Sequence, residues 1–144
     1  TKGQGVLFMN WMAELGTHVA KAKAVEGLAD AAAAIEKAKD VLGASAMHLG
    51  GLGMQGDTKG AMIYATPFLN QFGNVVLGLE ALKQATVAST ALAAGGLSEG
   101  EARFYQGKLV NLDFYVSSVL PESIALGKTI RSGDKACMSP AAFR

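Results

Sequence analysis

The sequence predicts an all-α fold, an antiparallel up-down bundle of four long helices with a short C-terminal tail. Three observations carry this prediction. Apolar residues recur at steps of three and four through four long segments, which lines them along one side of a helix. Half of the residues are apolar but only 7% are aromatic, and alanine is abundant, a balance that favours closely packed helices over a β-sandwich. No strand-like alternation, internal repeat or low-complexity linker interrupts the chain. At 144 residues, positions 1–144 read as a single helical-bundle domain with enough apolar residues for a sizeable core.

The first predicted helix is Thr1–Val25. Phe8, Trp11 or Met12, Leu15 and Val19 share its inner face, and Lys21 and Lys23 sit near its end, where cations suit the helix dipole. Gly27 marks a break. The second helix is Leu28–Leu49, with Leu28, Ala31 or Ala32, Ile35, Ala38 and Leu42 facing inward. Its alanines let a neighbour come close, while Glu36, Lys37, Lys39 and Asp40 form a solvated face. Gly50–Asp57 is expected to be a loop, because a run so rich in glycine loses too much backbone entropy as helix. Asp57 or Thr58 can cap the next helix.

Thr58–Ala94 is a third, long helical segment containing Pro67. Two readings stay open there. Thr66 and Pro67 fit the cap and first residue of a fresh helix. Alternatively one helix runs through, kinked where Pro67 clashes with the carbonyl of Ile63. Beyond it, Phe68, Phe72, Val75 or Val76, Leu79 and Leu82 make a stripe. Gly73 and Gly78 are each unfavourable by roughly 1 kcal/mol relative to alanine, and are expected where backbones approach closely. Gly95-Gly96 then ends the segment.

The fourth helix, Ser98–Leu120, is expected to organise the rest. Tyr105, Leu109, Leu112, Val116 and Val119 lie on one face, widened by Phe104, Phe114, Tyr115 and Leu120. Ser98 followed three residues later by Glu101 is a capping box. Pro121 interrupts it, and Ile124, Leu126 and Ile130 continue the periodicity to Ser132-Gly133-Asp134. In the tail, Met138 and Phe143 are placed to tuck onto the bundle.

Composition excludes several function classes. Thirteen Lys and Arg against 12 Asp and Glu give a net charge of +1, with the two signs interspersed. That leaves no basic patch for nucleic acid and no reason to seek an anionic membrane surface. The longest apolar runs, Val41–Met47 and Val87–Leu97, are too short to span a bilayer. No basic segment followed by an apolar stretch marks a signal peptide. The single cysteine, Cys137, suits a reducing compartment, so a cytoplasmic location is expected. The first residue is Thr1 rather than Met, which leads to the expectation of a processed product or an excised piece of a longer protein.

The residues offer little chemistry. Glu14 lies one turn before His18, but two ligands do not make a metal site, and no second Glu-x-x-His pair of the di-iron type accompanies them. His48 stands alone, and no nucleophile elbow occurs. Gly50–Gly56 lacks the Lys-Ser/Thr of a phosphate-binding loop and comes after no strand. Glu99 and Glu101 are better explained by capping than by acid–base work. Phe104, Tyr105, Phe114 and Tyr115 read as core or interface. No catalytic, cofactor-binding or metal-binding residue is assigned.

Several stretches, taken in order, resemble one family. Tyr64-Ala-Thr-Pro-Phe-Leu-Asn-Gln-Phe-Gly73 is similar to a segment of the C-terminal helical domain in a branch of the acyl-CoA dehydrogenases that includes the 3-methylmercaptopropionyl-CoA dehydrogenases. Phe104-Tyr-Gln-Gly-Lys-Leu-Val-Asn-Leu-Asp-Phe-Tyr115, with Val119-Leu-Pro-Glu122, resembles that domain's last long helix. Ile130-Arg-Ser-Gly-Asp134 with Met138 to Phe143 looks like its tail, and Phe8-Met-Asn-Trp-Met-Ala-Glu14 like the segment after the catalytic core. The resemblance implies a parent flavoprotein that oxidises acyl-CoA thioesters to 2-enoyl-CoA with FAD, a glutamate removing the α-proton. The family's Glu-Gly-Thr motif is absent, and Leu49-Gly-Gly-Leu-Gly53 only superficially resembles the glycine run that precedes it. FAD and acyl-CoA would therefore belong to the parent, upstream of Thr1, and this chain would be a non-catalytic domain packing on the catalytic core of the same polypeptide or in a homo-oligomer. The alternative is a stand-alone helical interaction or scaffold domain without enzymatic activity.

Overall fold

The computed structural model describes residues 5–143, and side chains through residue 141. Among them the chain is helical throughout, without a strand. α1 spans Val6–Lys23, α2 Ala29–Met54, α3 Thr58–Ile63, α4 Ala65–Ala94, α5 Glu99–Phe114 and α6 Pro121–Ser132. A π-helical turn, Tyr115–Val119, joins α5 to α6, and two short 3-10 turns come last, at Ala136–Met138 and Pro140–Phe143. The part of the first predicted helix at Thr1–Gln4 lies outside the described residues, as does the side chain of Phe143.

The core is built chiefly by α2 and α4. α2 buries Ala31, Ala32, Ile35, Ala38 and Leu42, and α4 buries Val75, Leu79, Leu82 and Ala85, as their periodicity predicts. α1 adds Leu15, Val19 and Ala22. The expectation that the fourth helix organises the fold is corrected here. Of the predicted segment only Leu112 in α5 and Leu120 after the π-helical turn are buried, while Tyr105, Leu109 and Val116 are half-buried. α5 packs mainly along α4, so its stripe covers that helix rather than filling a space between several. Its start is as the sequence predicts. Glu101 N–H donates to Ser98 Oγ (3.3 Å) and Ser98 N–H to Glu101 Oε2 (2.8 Å), while Gly95 and Gly96 take positive φ to end α4. Hydrogen bonds from the Ser98 side chain and backbone hold the Glu101 carboxyl below its usual range.

Three further expectations change. Gly50–Asp57 is not a loop. α2 continues to Met54 and only Gln55-Gly56 turns. Leu49 and Leu52 are half-buried, and α3 packs against this last part of α2, so tertiary contact outweighs the weak propensity of Gly50, Gly51 and Gly53. A fresh helix does begin before Pro67, at Ala65, with Tyr64 rather than Thr66 as its N-cap. Pro67 is then the third residue of α4, where the amide N–H has no intrahelical acceptor to lose. Met138 is exposed rather than tucked onto the bundle.

Small residues set how closely the helices meet. A methyl group on Gly78 of α4 would lie 3.3 Å from Leu120 and 3.4 Å from Tyr115. The π-helical turn brings those two, five residues apart, onto the same spot, with Leu120 N–H donating to the Tyr115 carbonyl (2.9 Å). The Tyr115 hydroxyl donates to the carbonyl of Asn74 (2.8 Å). Burial, with Glu122 nearby, raises the Tyr115 pKa. At Gly127 of α6 an added methyl would clash with Val41 of α2 and lie 2.7 Å from Gln71 Nε2 of α4. Gln71 is fully buried there and donates to the carbonyl of Ser123 (3.0 Å). Gly73, by contrast, meets nothing within 4 Å, so its expected close contact is absent.

The segment after α6 is clasped to α3. Tyr64, buried, donates to the carbonyl of Asp134 (2.6 Å). Asp57 caps α3 by accepting from Gly60 N–H (3.0 Å) and pairs with Lys135. Lys135 and the Gly60 N–H hold the Asp57 carboxyl below its ordinary range.

Gly127→Ala should destabilise the chain by about 1–3 kcal/mol through overpacking. Gly73→Ala should stabilise it by up to about 1 kcal/mol through helix propensity. Urea unfolding midpoints check both. Because the folded pKa of Asp57 is depressed, the clasp stabilises fully above the ordinary carboxylate range and is lost as pH falls through the folded value. The stability difference between the native chain and Asp57→Asn should therefore hold steady near neutrality and shrink below about pH 4, as measured by thermal melts across pH.

Candidate functional site

The feature that stands out is an exposed apolar face at one end of the molecule, made by the start of α1, the end of α2, α3 and the start of α4. An aromatic group forms its floor. Trp11 stacks on Phe72 with ring centres 4.8 Å apart, and Phe8 lies 6.1 Å from Phe72 and 6.2 Å from Trp11. Phe68 packs 6.4 Å from Phe72. All four are only partly buried against the core. Their side chains meet because Phe8 and Trp11, and Phe68 and Phe72, are spaced three and four apart on two helices that cross here.

Two shallow grooves open over this floor. One is lined by Phe8, Met9, Ala46, Met47, Leu49 and Phe68 with Gly5. The other is lined by Leu49, Ala61, Met62, Ala65, Phe68, Leu69 and Phe72 with Gly50. They share Leu49 and Phe68, so the face is continuous, and neither contains a charged side chain. Leu7 is 83% exposed, Met47 80%, Met62 69% and Leu69 68%. Such a concentration of exposed large apolar side chains makes this face the candidate interaction surface. Unbranched methionines adapt to an irregular partner surface.

The sequence pattern alone does not reveal this face. Treating Gly50–Asp57 as a loop detaches α2 from α3 and hides that Met47, Leu49 and Met62 adjoin. The available signal was Met47, Met54, Met62 and Leu69, large apolar residues lying off every buried stripe.

The chemistry-bearing residues do not converge. Glu14 and His18 do meet, at 3.7 Å on one turn of α1, and Lys83 reaches Glu14 at 4.0 Å. No third His, Cys, Asp or Glu joins any such pair among the described residues. His48 has a buried Nε2 without a hydrogen-bond partner. Cys137 is exposed in the segment after α6. Glu99 pairs with Arg103 (2.8 Å), and Glu101 serves the cap. Phe104 and Tyr105 meet edge to face at 5.5 Å beside α4, and Phe114 is exposed. Ser45, Gln71 and Ser123 are buried where α2, α4 and α6 meet, and Gln71 Oε1 and Ser123 Oγ lack partners there.

The end grooves offer a flavin little to hold on to. Its diphosphate needs cations or backbone N–H groups, and its ring system needs hydrogen-bond partners. The end grooves present neither charged nor hydroxyl side chains. A third groove, between α4 and α5, has Lys83 and Lys108, but Lys83 is held by Glu80 (2.9 Å) and Lys108 lies 5.0 Å above the Phe104 ring. No helix is long and apolar enough to cross a membrane among the described residues.

Comparison with known proteins places most of the chain in one family. Residues 11–140 match the family described as "Acetyl-CoA dehydrogenase C-terminal like". A butyryl-CoA dehydrogenase of Syntrophomonas wolfei subsp. wolfei (strain DSM 2245B / Goettingen) is 30% identical over 134 residues, which is 93% of this chain and 22% of that protein. The chain thus spans about a fifth of the length of the curated relative it matches. With nine-tenths of its residues inside the match and an all-helical fold to accompany it, the chain belongs to the acetyl-CoA dehydrogenase C-terminal-like family.

Proposed function

We propose that this chain is the C-terminal, non-catalytic helical domain of an FAD-dependent acyl-CoA dehydrogenase, in the branch that includes the 3-methylmercaptopropionyl-CoA dehydrogenases. Its long helices run alternately up and down, and its apolar end face seats on the catalytic core of the same polypeptide or on a second subunit. FAD and the acyl-CoA thioester then bind in the remainder of a cytoplasmic enzyme, which oxidises the substrate to 2-enoyl-CoA. The observation that carries this reading is the match of nearly the whole chain to about a fifth of a butyryl-CoA dehydrogenase.

Three structural features support it. The end face is continuous and charge-free, as suits a permanent contact. Gly5, where the described chain starts, lines one of its grooves, so a preceding polypeptide would arrive at the rim of the face it covers. The polar groups are used in caps, clasps and helix packing rather than gathered at a cleft.

The deciding experiment is to sequence the gene around these codons. A flavin-binding dehydrogenase segment in the same reading frame is expected. A frame that opens at Thr1 with no such segment overturns the proposal and favours a stand-alone interaction domain. A second expectation concerns the face itself. Met62→Asp with Leu69→Asp should change the stability of the isolated chain by no more than about 0.5 kcal/mol, since both side chains are exposed. In the whole enzyme the same pair should lower the melting temperature, as measured by differential scanning calorimetry.

A further inference from the structure

We propose that the segment after α6 is a strap that holds α3 in place, and that through α3 it maintains one wall of the end face. The strap shapes that face whatever covers it, so it stands or falls independently of the function proposed above.

α3 has little to stabilise it from within. Thr58–Ile63 is six residues long, and so short a helix does not persist in water alone. Gly60 is its one buried residue, so it brings no apolar side chain to the core. The surface it rests on is the last part of α2, where Gly50, Gly51 and Gly53 disfavour helix. Between Leu42 and Gln71 the one large side chain that is buried is Tyr64, and it lies outside the main hydrophobic cluster. Apolar burial therefore does not hold this end of the molecule by itself.

The strap grips α3 at both ends. Asp57 is the N-cap of α3 and Tyr64 its C-cap. Asp57 pairs with Lys135, and the Tyr64 hydroxyl donates to the carbonyl of Asp134 (2.6 Å). Two consecutive residues of the strap thus bind the two residues that bracket the helix. The Asp57 carboxylate divides its work, since Oδ1 accepts from Gly60 N–H (3.0 Å) while Oδ2 meets Lys135. Burying the Tyr64 hydroxyl without a partner would be unfavourable, so the Asp134 carbonyl lets this ring stay inside.

The strap is itself braced. Gly133, with φ +67°, turns the chain out of α6, whose Ser123, Gly127 and Ile130 are buried. Ser132 Oγ donates to the carbonyl of Thr129 (2.7 Å), Ala136 N–H to Asp134 Oδ1 (2.8 Å) and Met138 N–H to the carbonyl of Lys135 (2.8 Å). These local bonds fix how Asp134 and Lys135 are presented to α3.

α3 in turn forms a wall of the larger end groove. Its Ala61 and Met62, with Leu49 of α2 and Leu69 of α4, line a space of about 720 Å³. The strap acts on Asp57 and Tyr64, whereas the groove uses Ala61 and Met62. It therefore shapes the groove without lining it.

Hydrogen exchange of the full chain, followed by NMR, tests this. In the unmodified chain the amides of α3 should exchange well before those of residues 75–88 in α4, because α3 opens while the core stays folded. Tyr64→Phe combined with Lys135→Ala should speed exchange in α3 by about tenfold or more, since a buried hydrogen bond and an ion pair are lost together. Lys135→Arg, which keeps the charge, should leave α3 nearly unchanged. Lys135→Ala alone, at an exposed residue, carries the same test should the double variant fail to fold. Exchange of α3 only in step with the core of the unmodified chain would overturn the proposal. So would unaltered α3 exchange in the alanine variants, or equal acceleration by Lys135→Arg.

Discussion

Close approach of helices through small residues is the constraint on which this structure depends. α2 presents Ala31, Ala32 and Ala38 to its neighbours, α4 presents Gly78 and Ala85, and α6 presents Gly127. Larger residues then fill only the spaces left between them, and Ile35, Leu42, Leu79, Leu82 and Leu112 are fully buried there. Close-packed interiors of this kind tolerate little change of volume. Helix positions derive from this packing more than from intrinsic propensity, which explains how α2 can hold Gly50, Gly51 and Gly53 within regular helix.

The same crowding accounts for the polar groups inside. Gln71 can be buried because its Nε2 reaches the carbonyl of Ser123, and Gly127 leaves room for it to do so. Ser45 is satisfied by the carbonyl of Val41, one turn back in α2 (3.0 Å). Buried donors that find carbonyls add a directional constraint to an otherwise apolar seam, since leaving one unpaired typically costs about 1–3 kcal/mol. At the other end of α6, Tyr64 and the Asp57–Lys135 pair tie the succeeding segment to α3. The break before Pro67 places Tyr64 where it makes that tie.

What the core does not bury is equally informative. The inner faces use the apolar stripes almost completely, while Leu7, Met47, Met62 and Leu69 at one end, and Phe104, Val110 and Phe114 along α5, stay exposed. The proposed function gives those surfaces a use, as the places where a helical domain meets the rest of its protein.

Much of the fold was legible in the sequence. The inner residues of α1, α2 and α4, the Ser98–Glu101 cap, the stop at Gly95-Gly96 and the end of α6 at Gly133 all arise from local rules of spacing, capping and glycine geometry, which the chain obeys residue by residue. The family was legible too, because short motifs in a fixed order survive in one dimension. Tertiary structure alone decided the rest. The extension of α2 through its glycines, the start of α4 after Tyr64 and the π-helical turn at Tyr115 each depend on packing against another helix. The candidate surface belongs to this second class. A face assembled from four helices has no signature in any one of them, and which apolar residues stay in water is settled only when the helices have taken their partners.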